Sequence, residues 1–348
     1  MQKITFMQRI PRVKAILSLI VLTIFSSCST DEKVVNIYSG RHYQTDEQLF
    51  REFTRETGIR VNLVKADTDQ LINRLELEGV NSPADIFITA DAGRMIQSME
   101  KGLLQPMDAE VIRQLVPANL RDPGFYWTGF TKRARVFVYD KSRVNPDELS
   151  SYEELTSEKW EGRVLVRSSQ NHYNQTLMAS IVAAHGQDGA LDWAKGIVNN
   201  MAQLPRGNDR DQVKAIAAGA GDVAIVNTYY MGLLLNSPNS EERNIARQMS
   251  IFFPNQDDRG THINISGVAI TAHAPNRDNA QRLIEYLLSP VAQSVFAEQN
   301  YEYPANKNVA WPALLEEWGR FNPDTIPIDQ LGKHLQPGMI IFNQAGWN

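Results

Sequence analysis

The sequence predicts an α/β protein of two lobes, joined by two extended crossings and parted by a cleft. Three observations carry that expectation. Strand-like and helix-like segments alternate along most of the chain, the pattern of parallel sheets flanked by helices. Two long segments with strand character, Thr128–Tyr139 and His262–Thr271, break the alternation and read as a passage to a second unit and a return from it. The length, 348 residues, fits two domains. Paired crossings form a hinge, and a hinge lets a cleft close on its ligand. On this partition residues 34–130 with 265–305 make the first lobe, and 131–264 with 306–348 the second.

The front end stands apart. Lys3, Arg9, Arg12 and Lys14 precede an apolar run from Ala15 to Phe25 and the small residues Ser26-Ser27. A basic start, a short apolar core and small residues describe an export signal over 1–27. The run is too short for a spanning helix, which needs about 20 residues. Cys28 follows at once, and its setting resembles the bacterial lipoprotein box, with Phe25 where that box usually has Leu. As the single cysteine of the chain, Cys28 excludes an internal disulfide and a Cys-based metal site. Residues 28–33 read as a tether. Loss of the signal's four basic and no acidic residues takes the formal charge from −5 to −9, which argues against a nucleic-acid partner. Hydrophobic content of 43% with 22% charged residues is that of a soluble domain with a large core.

Val34–Tyr38 reads as the first strand. A helix follows from Thr45 to Thr57, with Thr45 and Gln48 in capping-box spacing, an apolar face of Leu49, Phe50 and Phe53, and Gly58 as its stop. Ile59–Val64 is a strand, Asp69–Glu78 a helix closed by Gly79, Asp85–Thr89 a strand, and Gly93–Glu100 a helix closed by Gly102. After the first crossing, Asn145-Pro146 and Trp160-Glu-Gly162 mark turns. Arg163–Arg167 opens the second set of strands, followed by helices at Tyr173–His185, Ala190–Met201 and Asp209–Ala218, and by the strand Asp222–Val226. Beyond the second crossing lie helices at Arg277–Leu288 and Pro290–Asn300, then a Pro-rich tail. The chain shows no solenoid repeat and no low-complexity block.

Function is concentrated where strands end. Tyr229 and Tyr230 follow Asp222–Val226 and Asn227-Thr228 directly. On a continued strand their rings would face opposite ways; at a strand end that breaks into a loop or a first helical turn, both hydroxyls can converge. His42-Tyr43 follows the first strand in the same manner, and Tyr173 follows Arg163–Arg167 after a polar loop. Open α/β sheets bind ligands beyond the carboxyl ends of their strands. These three ends are therefore expected to meet around a hard trivalent cation. A phenol ionises near pH ~10, and a concentrated positive charge reverses that by favouring the phenolate. Fe(III) suits such hard anionic donors. The six histidines, at 42, 172, 185, 262, 273 and 334, lack H-x-x-H spacing for zinc, and no acidic loop suits calcium. Arg41 and Arg210 read either as offsets for phenolate charge or as solvated loop arginines. A Tyr-Tyr pair beside an apolar strand also has the plainer reading of core-edge packing.

Six segments carry a resemblance: Tyr38-Ser-Gly-Arg-His-Tyr43, Ser82-Pro-Ala-Asp85, Gly129-Phe-Thr-Lys-Arg-Ala-Arg135, Ser168-Ser-Gln-Asn-His-Tyr-Asn-Gln175, Asn227-Thr-Tyr-Tyr-Met-Gly232 and Phe253-Pro-Asn-Gln256. They resemble the ferric-iron-binding proteins of bacterial ABC importers, in their cyanobacterial-type branch, over nearly the whole mature chain. The resemblance implies a type II periplasmic-binding-protein fold, with Fe(3+) carried as a transported ligand between the lobes. It places the metal ligands at His42, Tyr43, Tyr173, Tyr229 and Tyr230, and it assigns no anion site. His172 stands where some relatives have an acidic residue. The resemblance also implies a non-enzymatic carrier in the periplasm, partnered by an ABC permease and its ATPase, and touching the membrane only through a lipid on Cys28. A binding protein of the same architecture for an organic or oxyanion solute is the alternative. A hydrolase has little support, since no G-x-S-x-G elbow is present.

Overall fold

The structure, a computed structural model, describes residues 33–348; the export signal and Cys28 lie outside the described residues. At the front, β1 (Val34–Ser39), α1 (Gln44–Thr57), β2 (Arg60–Lys65), α2 (Thr68–Glu78), β3 (Ile86–Thr89) and α3 (Ala92–Glu100) alternate as expected. Short β4 (Leu104–Gln105) and α4 (Ala109–Leu115) lead to the long β5 (Thr128–Asp140), and then come β6 (Val164–Leu165) and α5 (His172–Asn200). Next are α6 (Asp209–Ala217), β7 (Val223–Asn227), α7 (Thr228–Leu235), α8 (Ser240–Gln248), β8 (Met249–Phe252) and β9 (Ile263–Thr271). The chain finishes with α9 (Arg277–Leu287), α10 (Pro290–Gln299), β10 (Tyr303–Pro304), α11 (Ala313–Glu317) and α12 (Gly332–Ala345).

The main strand order is β2-β1-β3-β9-β5-β7-β6. At one end β2 and β3 flank β1 in parallel, and at the other β6 and β7 are parallel. Between them β9 and β5 run antiparallel to each other and to their outer neighbours. β5 is one continuous strand with two sets of partners. Residues Thr128 to Ala134 pair with β9, and Arg135 to Tyr139 pair with β7. The two crossings expected from sequence are thus β5 and β9, side by side at the middle of the sheet. Both are buried along nearly their whole length, and that burial takes in polar side chains such as Arg133, Arg135, Asn264 and Ser266 as well as apolar ones.

Two local expectations need correction. Helix α1 starts at Gln44 rather than Thr45, its N-cap is Tyr43, and no side chain caps it. The capping box does not form because Thr45 already lies inside the helix, where its hydroxyl donates to Asn300 Oδ1 at 2.8 Å. The strand at Arg163–Arg167 shortens to Val164–Leu165; Arg167 instead turns its side chain to Asp209, at 3.4 Å. The two helices expected at Tyr173–His185 and Ala190–Met201 run end to end in α5, broken at Gly186, where φ is 71° and ψ −179°. Only glycine adopts that conformation without strain. The C-terminal α12 packs along α5, with Gly338 against Met178, where an added Cβ would fall 2.9 Å from Cγ.

Candidate metal centre

The carboxyl ends of β1, β7 and β6 open onto one cavity of about 780 Å³, lined by His42, Tyr43, Tyr173, Tyr229 and Tyr230 among others. The tyrosine pair owes its geometry to the change of element expected from sequence. β7 stops at Asn227 and α7 begins at Thr228, so the next two side chains leave on a helical turn. The first residue of α7 is tied to the central strand, with Ala134 N donating to Thr228 Oγ1 at 3.3 Å. Tyr173 enters on the first turn of α5, capped by the Asn171 side chain. Thr176, three residues on, donates to Asp91 Oδ2 at 2.6 Å and so fastens α5 to the N-cap of α3.

The four rings meet. Tyr173 Oη lies 3.4 Å from Tyr229 Oη. Tyr43 sits edge-on to Tyr229 with ring centroids 6.0 Å apart, and Tyr230 lies 4.1 Å from Tyr229. Tyr173 and Tyr229 are buried, whereas Tyr43 and Tyr230 are half-buried at the cavity. His42 lines the same cavity as an exposed side chain. His172 also lines it, edge-on to the Tyr173 ring at 4.3 Å. Arg210 is exposed on the cavity wall. Of the remaining histidines, His262 is buried away from the cavity, and His185 pairs with Glu153 at 2.8 Å. Among the described residues no group of three or more His, Cys, Asp or Glu side chains is gathered to hold a metal.

Metal-free, Tyr43, Tyr229 and Tyr230 are held neutral. Burial pushes the Tyr43 and Tyr229 hydroxyls well above their ordinary range, and the neighbouring phenols add to the shift. Tyr230 is raised for the same reasons. Opposing this, Arg41 beside Tyr43 and Arg133 beside Tyr229 favour the ionised forms. Arg133 lies 5.2 Å from the Tyr173 ring centre and Arg41 lies 4.5 Å from that of Tyr43. A guest of concentrated positive charge in this cavity would favour removal of phenolic protons. A neutral solute would leave the hydroxyls protonated.

Sequence reading singled out Arg41 beneath the rings but not Glu302 or Arg133. Of its two readings the offset for phenolate charge stands and the solvated loop residue does not: Arg41 favours ionised Tyr43 and is buried, binding Asp46 at 2.9 Å and Glu302 at 2.9 Å. Glu302 also faces Arg133 at 3.5 Å and accepts from Thr131 at 2.9 Å. Burial alone would raise the Glu302 carboxyl, but Arg41 and Arg133 outweigh it and hold the group below its usual range. Deeper along β5, Arg135 pairs with Asp209 at 2.8 Å. A signal was present, since Arg133 and Arg135 alternate onto one face of a strand too apolar for solvent. Glu302→Ala removes the carboxylate partner of Arg133, so the metal-free protein is expected to lose about 3–5 kcal/mol of stability, as when a buried pair is broken. Urea unfolding checks this, and a loss below about 1 kcal/mol, the range of exposed pairs, would contradict it.

The profile of a family described as bacterial extracellular solute-binding protein matches residues 81–323. Iron uptake protein A1 of Synechocystis sp. is 48% identical over 317 residues, covering 91% of this chain and 88% of that protein. A solved structure of the Trichodesmium protein IdiA (FutA), in complex with iron and citrate ligands, superposes with a TM-score of 0.87. Its sequence is 45% identical, covering 90% of this chain and all of that one. The ferric binding protein from Campylobacter jejuni gives the same TM-score at 40% identity, over 90% of this chain and 100% of its own.

Proposed function

The chain belongs to the bacterial extracellular solute-binding protein family, and we propose that its solute is ferric iron, held by Tyr43, Tyr173, Tyr229 and Tyr230 with His42. One observation carries this reading: four phenols from three strand ends converge on a single cavity. Relatives named for iron uptake and ferric binding support it. Residues 34–130 with 265–305 act as one lobe and residues 131–264 with 306–348 as the other. Iron meets Tyr173, Tyr229 and Tyr230 first, and closure of the lobes adds His42 and Tyr43. The protein performs no catalysis; the closed, loaded form is the shape presented to an ABC permease and its ATPase. The setting is periplasmic, with a lipid on Cys28 as the anchor. Among the described residues no helix is long and apolar enough to cross a membrane.

Loading with ferric citrate followed by desalting tests the reading. The expected product is coloured, with a visible phenolate-to-Fe(III) charge-transfer band and one iron per chain. A colourless, iron-free protein would falsify it. The cavity, at about 780 Å³, also has room for an organic or oxyanion solute. Heat of binding from such a solute, with no colour on ferric loading, would favour that second reading.

A further inference from the structure

Building on the ferric reading, we propose that Tyr301 is a positioning residue for the Tyr229-Tyr230 pair, acting through a glycine notch at Gly232. Gly232 follows Tyr229 by three residues in α7, so the two share a face of the helix. A Cβ added at Gly232 would fall 2.2 Å from Tyr301 Cγ and 2.5 Å from its Cβ. The ring of Tyr301 therefore lies directly on the helix backbone, and any larger residue at 232 displaces it.

The backbone of Tyr301 is bent to make that contact. Its φ is 58°, in the left-handed region that aromatic side chains rarely occupy. Strain of this kind persists only where surroundings enforce it, and it gathers at ligand clamps. Here both neighbours are pinned. Asn300 accepts from Thr45 in α1, and Glu302 binds Arg41, the cation over the Tyr43 ring. Upstream, α10 packs on α1 and α9, the helices of the β1 end, whereas α7 packs on β5 and β7. The turn at Tyr301 thus joins the surroundings of Tyr43 to the helix carrying Tyr229 and Tyr230, without donating an atom to iron. It sets how closely the two groups of phenols approach when the cavity is shut.

The test uses the full mature chain loaded with ferric citrate, as wild type, Tyr301→Ala, Tyr301→Phe and Gly232→Ala. Release of iron to excess citrate, the position of the visible band, and the melting temperature of the metal-free protein are measured. Tyr301→Ala and Gly232→Ala are expected to release iron about 10-fold faster, the scale of other supporting-shell losses, with a displaced band. Tyr301→Phe, which keeps the ring, is expected to match wild type in release, band position and metal-free melting temperature, whereas Tyr301→Ala and Gly232→Ala, which remove or displace a packed ring, are expected to lower that temperature as well. Wild-type release and band position in Tyr301→Ala overturn the inference. So does faster release from Tyr301→Ala with the visible band at its wild-type position, which marks ordinary packing. A wild type that takes up no iron overturns the ferric reading and this inference together, whereas variants indistinguishable from a loaded wild type overturn the inference alone.

Discussion

Tyr229→Phe is expected to lower iron retention against citrate at neutral pH by more than about 100-fold, since even the partners that merely support metal ligands cost about 10- to 100-fold when lost. Tyr229 is the hub of the cluster, contacting Tyr43 and Tyr230 through its ring and Tyr173 through its hydroxyl. Phenylalanine keeps the packing and removes only the oxygen. The loss should therefore appear in iron affinity and in the visible band, not in the stability of the metal-free chain. Tyr230→Phe is expected to act in the same direction. His262→Ala is the control: His262 is buried, and burial with the nearby arginines lowers its pKa to about 3, so it is a neutral group outside the cavity. Retention equal to wild type in both tyrosine variants, measured by citrate competition, would remove the ligand assignment.

Acidification is expected to discharge the protein, and alkalinity to tighten its hold. Burial raises Tyr43, Tyr229 and Tyr230 above their ordinary value in the metal-free form, so each phenol enters the reaction carrying its proton. Iron displaces that proton, and linkage then requires affinity to rise with pH through the whole range below those raised values. The rise is expected to be about one decade per pH unit for each phenol ionised. Lowering the pH reverses the exchange. Proton release on loading, followed with an indicator dye in weak buffer against a protein-free ferric citrate blank and corrected for the protons that citrate takes back as iron leaves it, checks the sign and the count. Loading that releases no more protons than the blank would show that neutral hydroxyls suffice, which a trivalent guest does not permit.

The parts of the fold legible in the sequence are those governed by local rules. The alternation of β1, α1, β2, α2, β3 and α3 follows from apolar periodicity and the stops at Gly58, Gly79 and Gly102, all at positive φ. The crossings were legible because both are long segments of strand character that break the strand-helix alternation. The four tyrosines were legible because each lies just past a strand or in the loop after one, where the α/β arrangement makes its sites. What stayed hidden depends on contacts distant in sequence. Glu302 lies 261 positions from Arg41, and nothing near Glu302 announces that pairing. Thr45 looked like a helix cap because its spacing is right, yet its hydroxyl was taken by Asn300, 255 positions away. Whether a loop or a helix follows β7 stayed open because an eight-residue helix that is apolar nearly all round shows no stripe.

The uninterrupted run of β5 has a mechanical corollary. A flexible linker would let the two ends of the sheet wander through many orientations, but here they share one backbone beam, with the exchange of partners falling between Ala134 and Arg135. Arg133, beneath the ring of Tyr173, sits at that waist. On the proposed ferric reading, bending the beam would alter the spacing between the Arg133 cation and the phenols, so grip and opening would be set by the same few peptide torsions.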